Sequence, residues 1–438
     1  EMRESDWSSD VCSSDLVLLM ILVIISGIFI YQKKQKVITI GIYSDSSWDV
    51  PNDNEYKFID YVVKKFEKEN PNVKVKYESG INKNDYLEWL SQKIVDNKAP
   101  DVFIVPSEQF GFLSSLGTMR NLNYFMDLSG LNTDDYYPTN LKAGMSAGKQ
   151  YALPLESNPM MMCVNTDLLK KEHITIPKSG WTLNDFYRIC RQVTKDTNHD
   201  GVVDQFGYAD YSWKDAAQAY NAKLFNSQGT ASYFNSDKVR QALTMMEKLY
   251  NLQKDYKVTA DDFDKGKVAF LPMTLAQYRT YESYPYRVSR YSSFSWTCIR
   301  MPGATPDINS TYVNTSMVAM SSQSTHPLLS WKLVKFLSNN GDVQQKLFTY
   351  SQGASVLKSV MKSKDITENL QKENNADNAL TEEKFVSIMA KSQKYPEFKN
   401  YNNVMQTADY LINNALENGN VEVQLSNIQN QIQEELAK

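Results

Sequence analysis

Between Val37 and Val105 the chain changes hydrophobic period four times, and this alternation restricts the fold more than any other feature. Val37-Ile38-Thr39-Ile40-Gly41-Ile42-Tyr43 is short, apolar and rich in β-branched residues, which predicts a buried strand. A polar stretch, Ser44 to Asn54, leads to a predicted helix from about Glu55 to Lys68, whose Phe58, Ile59, Val62, Val63 and Phe66 recur at helical spacing. Asn70-Pro71 stops it. Val73 to Tyr77 alternates as a strand does, and Tyr86 to Val95 is helical again, with Leu87, Leu90 and Ile94 on one face. Ala99-Pro100 breaks that helix ahead of a buried strand, Asp101 to Val105. Strand, helix, strand, helix, strand predicts an α/β fold with a mostly parallel sheet. In such sheets ligands lie beyond the carboxyl ends of the strands. This directs attention to Tyr43, Trp48 and Asp49 after the first strand and to Glu108 after the third.

The bulk composition narrows the function. The 438 residues carry 47 basic and 51 acidic side chains, so no basic excess exists to neutralise a phosphate backbone and nucleic acid is excluded as the expected partner. The 27 Tyr, 18 Phe and 7 Trp suit a ligand with apolar faces and a hydroxylated rim, although many such rings are simply core. Cys12, Cys163, Cys190 and Cys298 have no C-x-x-C spacing and read as small buried thiols rather than a disulfide framework. The three histidines, His173, His199 and His326, form no metal-ligand pair, and no G-x-S-x-G elbow is present. A pair of carboxylates for glycoside hydrolysis leaves no sequence signature, so a glycan-active enzyme stays open as an alternative.

Two motifs resemble sites. Asp196, Asn198, Asp200, Gly201 and Asp204 match the start of a calcium loop, but Gly207 stands where the bidentate acid belongs, so the segment reads as an Asx-rich turn with calcium as the alternative. Gly144 to Gln150 is one residue short of a phosphate loop and reads as a tight turn. No cofactor and no metal are expected. Further upstream, residues 16–30 are an uncharged apolar run followed by Lys33, Lys34 and Lys36, which predicts a signal region or short anchor within residues 1–36. Residues 1–16 contain the echo WSSDV-CSSDL, of the kind a sequencing adapter leaves, and read as non-native.

Several segments together resemble a known family. They are Phe66 to Val75, Ala99-Pro100-Asp101-Val102, Leu116-Gly117, Gly148 to Pro154, Val164 to Leu169, Pro177 with Trp181-Thr182 and Asp185-Phe186, and Trp331 to Leu337. In this order and spacing they are similar to the family-1 extracellular solute-binding proteins of the maltodextrin-binding type. The resemblance implies a periplasmic-binding-protein-like fold of type II. Two α/β lobes, 37–154 plus 303–338 and 155–298 plus 339–438, would be joined by crossing segments near Pro154 to Asn158, near Trp296 to Pro302 and after Leu337. It also implies a monomer, anchored at its N-terminus outside the membrane, that binds a sugar or oligosaccharide by hinge closure and hands it to an ABC permease. A receptor in place of a transporter, or a peptide or polyamine in place of a sugar, would suit the same architecture. Further candidate ligand contacts are Tyr211 and Trp213, where the family often places a cleft aromatic, and Tyr278 and Tyr281 after a predicted strand. Trp296 at the second crossing and Asn314 before the strand Met317 to Met320 complete the set. Two departures stand out: no lipobox cysteine follows the apolar run, and Gly353 to Leu357 lacks the family's proline. The remainder, Asp365 to Lys438, is polar and helix-prone, and Val421 to Leu436 places Val423, Leu425, Ile428, Ile432 and Leu436 at helical spacing in a predicted packed helix.

Overall fold

A computed structural model describes residues 35–437 except 53, 55, 254–255, 284–293, 374–379, 395 and 397. The apolar run at 16–30, Cys12 and the echo therefore lie outside the described residues. Among those described, no helix is long and apolar enough to cross a membrane.

The described residues form eleven strands: β1 (Lys36–Gly41), β2 (Val73–Lys76), β3 (Val102–Val105), β4 (Met145–Ser146), β5 (Lys149–Gln150), β6 (Ala152–Asn165), β7 (Phe206–Tyr208), β8 (Val268–Thr274), β9 (Trp296–Ile299), β10 (Val313–Met320) and β11 (Ala354–Ser355). The expected first unit forms as predicted. The β1 strand pairs in parallel with β2 on one side and β3 on the other, and the helices Lys57–Glu69 and Lys83–Val95 are the crossovers. Ile38, Ile40 and Ile42 point to one face of this sheet, where Val62 and Phe66 of the first helix meet them. Phe103 and Val105 are buried on the other face with Tyr86 and Leu90 of the second.

The long strand β6 joins this unit to the next. From Ala152 to Pro159 it pairs antiparallel with β10, which itself lies against β3. From Met160 to Val164 it pairs with β8 instead, and from Met162 to Asn165 also with β9. The sheet order is β2-β1-β3-β10-β6-β8-β7, with β9 and β11 attached to β6. Partner exchange at Pro159 and Met160 thus divides one sheet into two lobes, each covered by helices.

The second lobe is covered by the helices Leu183–Val193, Asp237–Gln253, Tyr401–Glu417 and Val421–Leu436, whose apolar faces form one core with Met162, Val164 and Phe270. The last helix buries Leu425, Ile428 and Ile432 as expected, but Val423 is 79% exposed, because its spacing places it just off the buried stripe. The helix Gly341–Tyr350 packs on the first lobe, with Val343 and Leu347 in the core that holds Ile38 and Phe66.

Gly144 to Gln150 is a turn. The β4 and β5 strands form a hairpin whose two loop residues, Ala147 and Gly148, have φ of 48° and 77°, the left-handed pair that a tight two-residue hairpin needs. The segment from Asp196 to Asp204 is likewise a turn. Asp196 accepts the N–H groups of His199 and Gly201, Asp200 accepts that of Val202, and Asp204 accepts that of Thr197. These carboxylates serve the backbone, and no cluster of three metal-ligating side chains occurs among the described residues.

Candidate functional site

A cavity of about 540 Å³ opens along the seam between the lobes. Its first-lobe wall comes from loops at the carboxyl ends of strands, where parallel-sheet geometry places ligand sites. Ser47, Trp48 and Asp49 follow β1, and Ser107, Glu108 and Gly111 follow β3. Its floor is the two strands at the junction, where Asn158 of β6 and Asn314 of β10 are directly paired. The second-lobe wall supplies Thr274 at the end of β8, Gln277 of the helix Leu275–Ser283, and Phe398, Tyr401 and Asn402. A further hollow of about 430 Å³ shares Asp49 and Gln277 as a common wall and runs toward Asp210 and Leu271.

Lys83, near the start of its helix, organises the acidic side. Its ammonium donates to the Ser47 carbonyl at 3.0 Å and to Asp49 Oδ1 at 2.8 Å, and stands 3.8 Å from Glu108 Oε1. Two carboxylates thus share one cation. Asp49 occupies the left-handed region at φ 55°, which turns the loop toward Lys83. Asn158 accepts the Ala276 N–H at 2.9 Å, so a floor residue caps the helix that presents Gln277. Three rings, Trp48, Phe398 and Tyr401, reach the cavity from opposite walls. Phe398 is wedged edge-on against Phe225 and Tyr401 with centroids 5.1 and 5.4 Å away, which fixes its orientation.

Behind the floor lies a buried charged knot. Glu156 of β6 accepts hydrogen bonds from Ser351 Oγ at 2.5 Å and the Gly353 N–H at 2.7 Å. Arg279 donates to the carbonyls of Phe348, Ser351 and Gly353 and lies over the Phe348 ring. Burial pushes the Glu156 carboxyl above its usual range, against the opposing pull of Ser351, Trp48, the Gly353 N–H and the Arg279 charge. The Trp48 indole N–H is itself buried, with no hydrogen bond of regular geometry among the described residues. A Cβ at position 353 would stand 2.5 Å from the Glu156 carboxylate, so only glycine admits this contact. Residues 351–353 also touch the loop after β1, since Ser46 donates to Gln352 and Gln352 donates to Asn52.

Residues 61–374, well over half of the chain, match the family described as bacterial extracellular solute-binding proteins. The chain belongs to that family. A galactooligosaccharide-binding protein of Bacillus subtilis is 27% identical to this solute-binding protein over 178 residues, a stretch that covers 40% of this chain and 38% of that relative. The sugar-binding protein MalE from Xanthomonas citri superposes with a TM-score of 0.76 at 16% identity, covering 92% of this chain and 98% of the other. An ABC substrate-binding protein from Listeria monocytogenes in complex with cycloalternan gives 0.67 at 20% identity, covering 92% and 100%. At these identities the structural likeness establishes the fold: a periplasmic-binding-protein-like α/β protein.

Of the residues singled out in this solute-binding protein's sequence, Trp48, Asp49, Glu108 and Asn314 meet at the cavity. Tyr43 lies beneath it, 7% exposed, edge-on to Tyr86 and hydrogen bonded through its hydroxyl to Ser47, so it supports the wall without forming it. Four others lie elsewhere. Tyr211 is packed on Phe186 in the second-lobe core. Trp213 is 1% exposed in the same core, its indole N–H donating to Asp409 at 2.8 Å. Tyr278 and Trp296 pack edge to face, both buried. Tyr281 falls in the helix Leu275–Ser283, but its side chain lies outside the described residues. Lys83, Asn158, Gln277, Phe398 and Tyr401 were not anticipated. Asn158 had a signal, since Glu156-Ser157-Asn158 is a polar run inside a strand whose flanks, Ala152 to Leu155 and Pro159 to Val164, are apolar; Phe398 and Tyr401 lie far along the chain in a polar tail and had none.

Proposed function

We propose that this solute-binding protein captures a sugar or oligosaccharide in the cavity between its lobes and presents it to an ABC permease. The observation that carries the reading is the lining: rings on opposite walls, with amides and carboxylates between them. Rings cover the C–H faces of a sugar, and amides and carboxylates bind its hydroxyl rim. The shared lysine bears on ligand class as well. Asp49 and Glu108 already face the Lys83 ammonium, so a cationic ligand such as a polyamine would have to compete with it. The ligands named for two similar proteins, a galactooligosaccharide and cycloalternan, are in keeping with this class.

Delivery follows from closure of the lobes about the strand exchange at Pro159 and Met160, driven by the ligand's preference for the closed form. The packing of Val343 and Leu347 supports a third crossing beyond Tyr350, and the pairing of β6 supports a first crossing immediately after Asn158. A monomer held outside the membrane by the apolar run at 16–30 completes the reading.

A thermal-shift screen of residues 37–438 against oligosaccharides, amino acids, peptides and polyamines, with mass analysis of recovered ligand, tests it. An oligosaccharide at a hundredfold its Kd should stabilise the protein by about 2.7 kcal/mol and return intact. Trp48→Ala and Phe398→Ala should each weaken that binding by roughly 10- to 100-fold, about 1.4–2.8 kcal/mol, with an unchanged far-UV spectrum. Stabilisation by a polyamine alone, or a cleaved sugar, would overturn the proposal.

A further inference from the structure

We infer that Cys163 and Cys298 form a disulfide in the exported protein, one that staples β9 to the strand shared by both lobes. The two residues are directly paired across the antiparallel strands β6 and β9. Opposed residues in such a ladder have Cα atoms about 4.5–5.5 Å apart, inside the window of about 4.4–6.8 Å that a disulfide spans. Their sulfurs stand 3.0 Å apart and unbonded, nearer than the 3.9 Å from Cys163 to the Met273 sulfur. Both side chains point into the same core, beside Met161, Leu271 and Met273. Closing the bond needs only a small adjustment of two side chains that already face each other. Cys190 lies in the other core of the same lobe, on the helix Leu183–Val193, and does not compete.

The family is extracellular, and outside the cytoplasm thiols this close are oxidised and stay so. The reaction is an exchange: a small disulfide oxidant accepts two electrons and the two thiol protons, leaves as two thiols, and the Sγ–Sγ bond forms. Both cysteines are fully buried, and burial pushes the Cys163 thiol far above its ordinary value. With both thiols enclosed, an oxidant reaches them only before β9 docks on β6, so the bond forms as the chain folds. Once formed, it closes a loop that includes β7, β8 and the helices Leu183–Val193 and Asp237–Gln253 of the second lobe. It also fixes two chain connections to each other on the second-lobe side of the strand exchange, leaving the bending to the residues beyond them.

The test uses the full chain, unfolded and refolded with a mixture of oxidised and reduced glutathione. It is then denatured, alkylated without reductant, digested and weighed. The expected result is a cross-linked peptide pair containing Cys163 and Cys298, two hydrogen atoms lighter than the separate peptides, with Cys190 alkylated. The urea midpoint of this material should fall when a phosphine reductant is present throughout, whereas Cys163→Ala/Cys298→Ala should unfold at one midpoint in both conditions. Alkylation of both residues without reductant, a link from either to Cys190 or Cys12, or a wild-type midpoint that ignores the reductant would overturn the inference. The alkylation result stands even if the double variant fails to fold.

Discussion

Trp48 and Trp213 separate two roles that one residue type plays in this chain. Trp213 is enclosed by the second-lobe core and hydrogen bonded to Asp409, so Trp213→Ala should cost about 3–5 kcal/mol in urea unfolding. Trp48→Ala should cost far less there and act on ligand affinity. A loss of affinity for Trp213→Ala in protein that remains fully folded would contradict this division. The sequence cannot make the distinction: both tryptophans follow strand-like segments, and only the position of a partner nearly two hundred residues away decides which is covered. Trp48, Asp49 and Glu108 were legible because they follow strands whose ends converge by the geometry of the sheet, and Asn314 because it lies at the start of β10, next to that convergence. Phe398 and Tyr401 were not, because no local pattern reports that a distant helix start will close over those ends. Glu156 supports a third prediction at this scale. Because burial raises its folded value, the fold holds its proton better than the unfolded chain does. Its contribution is complete below the ordinary value of 4.5 and fades as pH rises through the raised one. Relative to Glu156→Gln, which carries no charge to bury, wild-type stability should decline as pH rises from that range toward neutrality. A difference in Tm that stays flat across the range would show that the carboxyl is not perturbed.

Among the elements, the hairpin of β4 and β5 offers the clearest local test. Both of its loop residues are left-handed, yet one of them is Ala147. Its Cβ approaches a carbonyl oxygen in that conformation at a cost of roughly 1–2 kcal/mol, which glycine avoids. Set against glycine's larger entropy when unfolded, of about 0.5–1 kcal/mol, Ala147→Gly should raise stability by up to about 1.5 kcal/mol in denaturant unfolding; a marked loss would refute the strain. The same scale shows where periodicity succeeds. The β1, β2 and β3 strands and their two helices were readable because β1 and β3 are short apolar runs bounded by polar or Pro-containing breaks, β2 alternates, and each helix buries one stripe. The β6 strand was read as separate motifs on either side of a lobe boundary, because nearly all of its residues are buried on both faces and it carries no alternation to show that it is continuous.

At the scale of the whole molecule, closure about the strand exchange in β6 predicts that saturating oligosaccharide will reduce the radius of gyration measured by small-angle X-ray scattering, and that a ligand giving no thermal shift will leave it unchanged. The lobes themselves were legible through the family resemblance, whereas their boundaries depend on pairings that composition does not mark. One of those pairings has a bearing on how the protein comes into being. The β10 strand lies between β3 and β6, yet it is synthesised after β7, β8 and β9, which belong to the second lobe. Met317 meets Val105 across more than two hundred residues of intervening chain, and the entropic cost of closing such loops slows folding. The second lobe's sheet is complete by the end of β9, while the central gap in the first waits for a strand still to come. The first part of the chain to emerge is thus among the last to be finished, and until β10 arrives the facing edges of β3 and β6 remain open, which is the interval in which a chaperone would find them.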